Sequence, residues 1–166
     1  MSYDLMVFNP AEAPRDRAAF QAWYQQQTDW PEDDSSFDPA TACPSLQGWY
    51  QAMLANWPNM QEVDDSQIDN PQITGYSFGK NIIYLDFRWS VAEEAYDAVR
   101  KSAVEHQVGF YDVSGDEGDG EIYFPGESLR TPSGGIWRDI TKQFQSIDTN
   151  VGAPKKRWFD FFRRDK

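Results

Sequence analysis

The sequence predicts a single α+β domain in which an antiparallel or mixed sheet carries helices packed on one face. Its length of 166 residues is that of one domain. Short apolar runs rich in aromatic and β-branched residues alternate with segments of helical periodicity. The predicted order is β, α, α, β, β, α, β, β. Without its second helix and last strand, this is the ferredoxin-like βαββαβ order, so the prediction is that order with an extra helix and strand.

The N-terminal half of the chain is predicted to supply one strand and two helices. The apolar run Tyr3–Phe8 ends at an Asn-Pro pair and predicts a buried strand. Over residues 15–27, aromatic residues three and four positions apart share one face, which indicates an amphipathic helix. Residues 44–57 repeat apolar side chains at the same spacing, and Pro58 ends this second helix.

The middle of the chain is predicted to form a hairpin followed by the third helix. Residues 74–78 and 81–89 predict the two strands, with Gly79 supplying a positive φ in the turn between them. The residues of the second strand alternate between an apolar and a more polar face towards its end. The Ser-x-x-Glu pattern at 90–93 is a capping box and predicts the start of the helix.

The C-terminal part is predicted to complete the domain and continue as a tail. Residues 108–113 and 121–124 predict a second hairpin, and residues 136–147 carry apolar side chains at the spacing of a helix face. A Gly- and Pro-containing linker then precedes a short basic-aromatic segment. We therefore expect an α+β domain over 1–148 and a linker with a C-terminal tail over 149–166.

The charge of the chain is large and unevenly placed. The net charge is −12, from 27 acidic and 15 basic residues. No Lys or Arg occurs in the 62 residues between Arg17 and Lys80, which contain nine acids, whereas the last twelve residues have six basic and two acidic side chains. Such a field attracts a cationic partner and repels phosphate backbones. The sequence therefore predicts a basic partner and no nucleic acid.

The residues needed for most catalytic, metal and membrane functions are sparse. A single cysteine, Cys43, cannot form an internal disulfide, and a single histidine, His106, cannot form a multi-histidine metal site. No nucleophile elbow or phosphate-binding loop is present, and the glycine-rich stretch 114–120 is itself acidic. No apolar run is long enough to span a membrane. We expect a soluble cytoplasmic protein that is not an enzyme and uses no metal or cofactor.

Three stretches of the sequence resemble one group of small, acidic bacterial proteins. They are YDLMVFNPAEAPRDRAAFQAWYQQQTDW at 3–30, GYSFGKNIIYLDFRWS at 75–90 and EEAYDAVRKSAVEHQVGFYDVSGDEGDGEIYFPG at 93–126. Members of this group look like immunity proteins of polymorphic or type VI secreted toxins. The resemblance implies a protein without catalytic residues that binds a cognate, basic toxin domain, as a monomer or in a 1:1 heterodimer.

Acidic loops that also hold aromatic residues are the candidate toxin interface. Charge sets the association rate and the choice of partner, and aromatic anchors supply most of the affinity. The loop at 28–43 and the tip of the second hairpin both have this composition. The candidate interface residues are Trp30, Glu32, Asp33, Asp34, Phe37, Asp38, Asp116, Glu117, Asp119 and Glu121.

Other functions remain open on the sequence alone. A regulatory or adaptor domain could bind a small ligand or another protein through the exposed face of its sheet. A hydrolase could use a carboxylate pair, because any two of the 27 acids could meet in space. The basic-aromatic tail could fold back on the acidic body of its own domain, or it could bind a membrane surface or an acidic partner.

Overall fold

The computed structural model of the protein describes residues 1–30, 34–115 and 120–126. Its strands are β1 (Tyr3–Phe8), β2 (Gly75–Phe78), β3 (Ile82–Phe87), β4 (Gly109–Tyr111) and β5 (Ile122–Tyr123). Its α-helices are α1 (Arg17–Gln27), α2 (Pro44–Met53) and α3 (Ala92–Glu105). The five strands form one sheet in the order β2-β3-β1-β4-β5, and every neighbouring pair is antiparallel. The predicted α+β class is confirmed.

The two faces of the sheet are covered by different helices. Successive side chains of a strand point to opposite faces, and β1 follows this rule. Tyr3, Leu5 and Val7 belong to one apolar cluster, whereas Met6 and Phe8 belong to another. Helices α2 and α3 pack in the first cluster, and α1 packs in the second. The prediction that the helices pack on one face is wrong, because both faces of β1 are apolar and each needs a cover.

The helix that departs from the ferredoxin-like order is the first helix. Strand β3 lies between β1 and β2, and β1 lies between β3 and β4, which is the split arrangement of that order. The two helices on one face are α2 and α3. Helix α1 lies on the other face, where Phe20 contacts Phe8 with ring centroids 5.1 Å apart. The second helix thus belongs to the βαββαβ unit, and the sequence-based choice to set it aside was wrong.

Two local predictions about turns are also corrected. Positive φ angles among the described residues occur at Gln107 and Gly126 and not at Gly79. A three-residue connection joins β2 and β3, and Gly79 gives room there, since a Cβ on it would lie 3.1 Å from Ile82 Cγ1. Helix α3 begins at Ala92 after a short 3-10 turn, and its N-cap position, Val91, has no side-chain hydrogen bond. The N-cap position therefore lies one residue after the predicted Ser90.

Several predicted segments differ or lie outside the structure's range. The stretch 28–43, predicted as a loop, contains two short 3-10 turns at Asp34–Phe37 and Pro39–Thr41. The hairpin of β4 and β5 is confirmed. The predicted helix over 136–147, the domain boundary at 148 and the tail fall outside the described residues. Within the described ranges, no helix is long and apolar enough to cross a membrane.

Candidate functional site

The β2 edge of the sheet is surrounded by the part of the chain that lacks Lys and Arg. Among the strands that the structure describes, β2 has a neighbour on one side only, and the 3-10 turn Asp34–Phe37 packs against it. At the start of β2, Met60 N donates to Thr74 O at 2.9 Å, and Thr74 N donates to Pro58 O at 3.0 Å. Residues on both sides of α2 are therefore held along this one strand.

This surface presents carboxylates to solvent. The segment that packs around β2 carries six acidic residues with exposed side chains, and we call them the anionic edge: Asp29, Asp38, Glu62, Asp64, Asp65 and Asp69. No Lys or Arg occurs between residues 18 and 79, so the segment itself contains no basic side chain. Arg88, which follows β3, reaches the segment, and its Nη2 donates to Ile68 O at 2.7 Å. Charges in such a group raise the local concentration of cations at low ionic strength.

Two of these carboxylates also fix the loops that display them. Asp38 Oδ1 accepts a hydrogen bond from Ala40 N at 2.9 Å, and Asp64 Oδ1 accepts one from Ser66 N at 2.8 Å. A second bond, from the Ser66 hydroxyl to Asp64, is the main reason that the pKa of Asp64 lies below its ordinary value. Hydrogen bonds to the ionised form stabilise the charge, so Asp64 stays ionised in mildly acidic solution.

An exposed aromatic ring lies on the same segment as these charges. Phe37 is 38% exposed, and it ends the 3-10 turn that packs against β2. Trp30 is half-buried, and its ring meets Tyr84 edge-on with centroids 6.5 Å apart. Its Cζ3 atom lies 3.7 Å from the position that a Cβ on Gly79 would take. Rings at the centre of a charged surface are typical anchors in protein interfaces.

The structure describes only part of the predicted interface. Trp30, Phe37 and Asp38 lie on the segment that surrounds β2, and Asp34 begins the 3-10 turn there. The remaining candidates of the two loops fall outside the described residues: Glu32, Asp33, Asp116, Glu117 and Asp119.

The Glu121 side chain is bound to residues of α3 and does not form part of an open surface. Its side chain is 8% exposed, and its Oε1 lies 3.0 Å from Arg100 Nη2. Tyr96 donates its hydroxyl to the other carboxylate oxygen. Burial, and then this hydrogen bond to Glu121, raise the pKa of Tyr96. Glu121 therefore links α3 to the start of β5, and we leave it out of the candidate surface.

A second polar site lies on the α1 face of the sheet, and sequence reasoning missed it. Asp4 of β1 and Asp86 of β3 are directly opposite each other in the antiparallel register. Tyr84, two residues before Asp86 and on the same face, donates its hydroxyl to Asp4 Oδ2 at 3.0 Å. The alternation of apolar and polar residues in β3 already indicates a polar face at Asp86. Only the strand register shows which residue of β1 is opposite Asp86.

Partial burial and the charge of Asp4 change the chemistry of Asp86. Burial, and then the negative charge of Asp4, raise the pKa of Asp86 from 3.8 to about 6. Burial also raises the pKa of Tyr24, which interacts with Tyr84. The other oxygen of Asp4, Oδ1, is buried and has no hydrogen-bond partner. A carboxyl group that keeps its proton in mildly acidic solution can donate a hydrogen bond as well as accept one.

The cysteine and the histidine do not form a site together. Cys43 precedes α2, and its Sγ lies 3.3 Å from Ser45 Oγ. His106 follows α3 as its C-cap residue and is exposed. Within the described ranges, no group of three or more His, Cys, Asp and Glu side chains is placed to hold a metal ion. The arrangement offers a charged surface and a half-buried pair of carboxyl groups.

Comparisons with known proteins identify no relative of this chain. No protein-family model matches the chain, and searches of curated proteins and of solved structures found no match.

Proposed function

We propose that this chain is a cytoplasmic immunity protein that binds a cognate bacterial toxin and occludes its active site with an acidic surface. The proposal rests on the resemblance of residues 3–126 to small acidic immunity-like proteins and on one structural observation. That observation is the anionic edge, where exposed carboxylates and the exposed ring of Phe37 surround one edge strand without a basic residue in the same segment.

The chemistry of this surface favours a basic protein partner. Toxins that act on RNA, DNA or nucleotides need cationic clefts, because their substrates are anionic. A surface of carboxylates imitates such a substrate and speeds the encounter, and complementary potentials can raise association rate constants to about 10⁸ M⁻¹s⁻¹ at low salt. Phe37 and Trp30 then supply apolar contact area, which charge alone does not give. Neutralisation by this route needs no catalytic residue in the immunity protein.

Growth protection tests this function. The product of the neighbouring gene is expressed in a bacterial host alone and together with this chain. We expect growth arrest when it is expressed alone and normal growth when the wild-type chain is present. The triple variant Asp29→Lys, Asp65→Lys and Asp69→Lys reverses three charges of the anionic edge at exposed sites. We expect this variant to fold and to lose most of the protection.

A matched control separates the surface from net charge. The triple variant Glu12→Lys, Asp97→Lys and Glu105→Lys changes the net charge by the same amount at exposed sites outside the anionic edge. It should protect like the wild type. If both triple variants protect fully, the anionic edge is not the interface. If no product of a neighbouring gene arrests growth, the immunity function itself is refuted, and a non-catalytic adaptor domain becomes the better proposal.

A further inference from the structure

Strand β5 is joined to the sheet by a shorter ladder than the other described strands. Strands β1 and β3 are paired at six positions, whereas β4 and β5 are paired at two. One further backbone bond extends this ladder, because Asp112 N donates to Glu121 O at 3.0 Å. So short a strand at the end of a sheet gains little from backbone pairing. Its attachment therefore depends more on side-chain contacts.

Helix α3 holds the start of β5 on one face of the sheet. Tyr96 and Arg100 are four positions apart, so they lie on the same side of the helix. Arg100 Nε and Nη2 each lie 3.0 Å from Glu121 Oε1, and the Tyr96 hydroxyl donates to Oε2. The Glu121 side chain is 8% exposed and that of Arg100 is 20% exposed. Loss of either partner would leave a charge with little solvent around it, which is costly.

Helix α1 holds the same segment from the other face of the sheet. Arg17 Nη2 donates to Gly120 O, and a hydrogen bond from a charged donor is stronger than one between neutral groups. The Arg15 guanidinium carbon lies 4.6 Å from the centroid of the Phe124 ring, within the range of a cation–π contact. Because α1 and α3 cover opposite faces, arginine side chains hold residues 120–124 from both sides.

We propose that Arg17 and Arg100, which we call the arginine clamp, control a local opening in which residues 120–124 leave β4 while β1, β3 and β4 stay paired. Opening converts β4 into an edge strand, whose backbone groups are then free to pair with another extended segment. The clamp is thus a conformational device that covers a strand edge. This inference rests on the contacts of β5, and it does not depend on the proposed function.

The chain before β5 has its own attachments, which confine the opening. Asp112 is 2% exposed, and its Oδ1 accepts from the Tyr3 hydroxyl at 3.3 Å. Two residues later, Ser114 N donates to Asp4 O at 3.1 Å. Both bonds tie the end of β4 to β1 and involve no residue of the segment 120–124. They can therefore persist when that segment leaves the sheet.

The open form is a minor population of the folded protein. Tyr123 and Phe124 are 5% and 3% exposed, and both rings lose apolar burial when the segment leaves β4. Openings of this kind are detected by amide hydrogen exchange, which reports local unfolding separately from unfolding of the whole domain.

Native-state hydrogen exchange measured by NMR at low urea concentrations tests the proposal. The first reporter is the amide of Asp112, which donates to Glu121 O. Hydrogen-bonded pairs alternate along an antiparallel ladder, so Tyr123 and Phe110 form the next pair, and the Tyr123 amide is the second reporter. In the wild type, we expect both reporters to exchange faster than the amides of β1 and β3. Their rates should depend little on urea, because a local opening exposes little surface.

Three variants separate the arginine clamp from a general loss of charge. Arg100→Gln should raise the exchange rate of both reporters at least about tenfold relative to the amides of β1 and β3. Arg17→Gln should raise the same two rates by a smaller factor. Lys101→Gln removes the same charge from the neighbouring position of α3, where Lys101 is 79% exposed and 3.9 Å from Glu105. It should change the reporter rates by less than about twofold.

Three results would overturn the proposal. If the Asp112 amide of the wild type exchanges at the rate and with the urea dependence of the β1 and β3 amides, β5 opens only with the whole fold. If Arg100→Gln accelerates all these amides alike, Arg100 contributes to global stability and not to a local clamp. If Arg17→Gln changes neither reporter, β5 is not clamped from both faces. The wild-type exchange rates decide even if a variant does not fold.

Discussion

The two faces of the sheet are built on different principles. On the face covered by α2 and α3, β1 and β3 present only apolar or aromatic residues, such as Leu5 and Phe87, and all of them are buried. On the face covered by α1, the same strands are apolar beside the helix and polar beyond it, where Asp4, Tyr84 and Asp86 lie. The chain therefore keeps one face for stability and leaves the end of the other face for titratable groups.

This difference shows where substitutions should be costly and where they should be mild. A side chain in a closely packed apolar layer loses both its transfer free energy and its packing when it is truncated. At the polar end of the other face, Asp4 and Asp86 are opposite each other, so charge repulsion opposes their packing. We expect the first face to respond to volume and the second to charge and pH.

The largest expected effect is on the α2 and α3 face. Trp49 is fully buried there, and we expect Trp49→Ala to lower the free energy of unfolding by about 4 kcal/mol. The matched change Trp30→Ala removes a half-buried ring from the polar end of the other face and should cost about 1 kcal/mol. Urea unfolding of both variants measures the difference. Equal losses would show that the two faces contribute alike.

An intermediate effect is expected at the glycine beside Asp86. Gly75→Ala places a methyl group where Asp86 Oδ2 lies, and it should cost about 2 kcal/mol, because the carboxyl group is pressed towards Asp4. In an Asp86→Ala background the same substitution should cost little. A double-mutant cycle gives the coupling between the two positions. A coupling of zero would mean that Gly75 does not serve to accommodate Asp86.

The smallest expected effect is a gain in stability at the end of α3. Gln107 follows α3 with a φ of 55°, a left-handed conformation that glycine adopts at lower cost. Gln107→Gly removes this backbone strain but also loses the hydrogen bond from Gln107 Nε2 to Val104 O. We expect the net effect to raise the free energy of unfolding by about 0.5 kcal/mol. Thermal unfolding detects the change. A loss of stability would show that the side-chain bond outweighs the backbone strain.

The elements of the fold could be predicted because each has a local signal. The strand Tyr3–Phe8 is continuously apolar, and α2 repeats its buried residues at helical spacing. The face on which α1 packs could not be predicted, because its apolar stripe fits either side of a sheet whose central strand is apolar on both faces. The phenylalanine that it meets, Phe124, lies more than 100 positions away along the chain.

For the candidate sites too, local features are visible in the sequence, whereas contacts between distant residues are visible only in the structure. The sequence shows that residues 18–79 contain no Lys or Arg. Only the fold shows that part of this segment packs along β2. Glu121 looked like a surface acid because its neighbours in sequence are acidic, and only the structure brings Arg100 to it. Asp4 and Asp86 meet through strand register, which neither segment specifies alone.

The most direct test of the role proposed for the anionic edge is the association rate constant of this chain with the proposed toxin partner, measured by stopped flow at several salt concentrations. Charge-steered association falls steeply as ionic strength rises. We expect the rate to fall at least tenfold between about 50 mM and 300 mM salt for the wild type and for the control variant Glu12→Lys, Asp97→Lys, Glu105→Lys. The variant Asp29→Lys, Asp65→Lys, Asp69→Lys should bind slowly at every salt concentration. A wild-type rate that salt does not change would contradict a role for this surface in recognition.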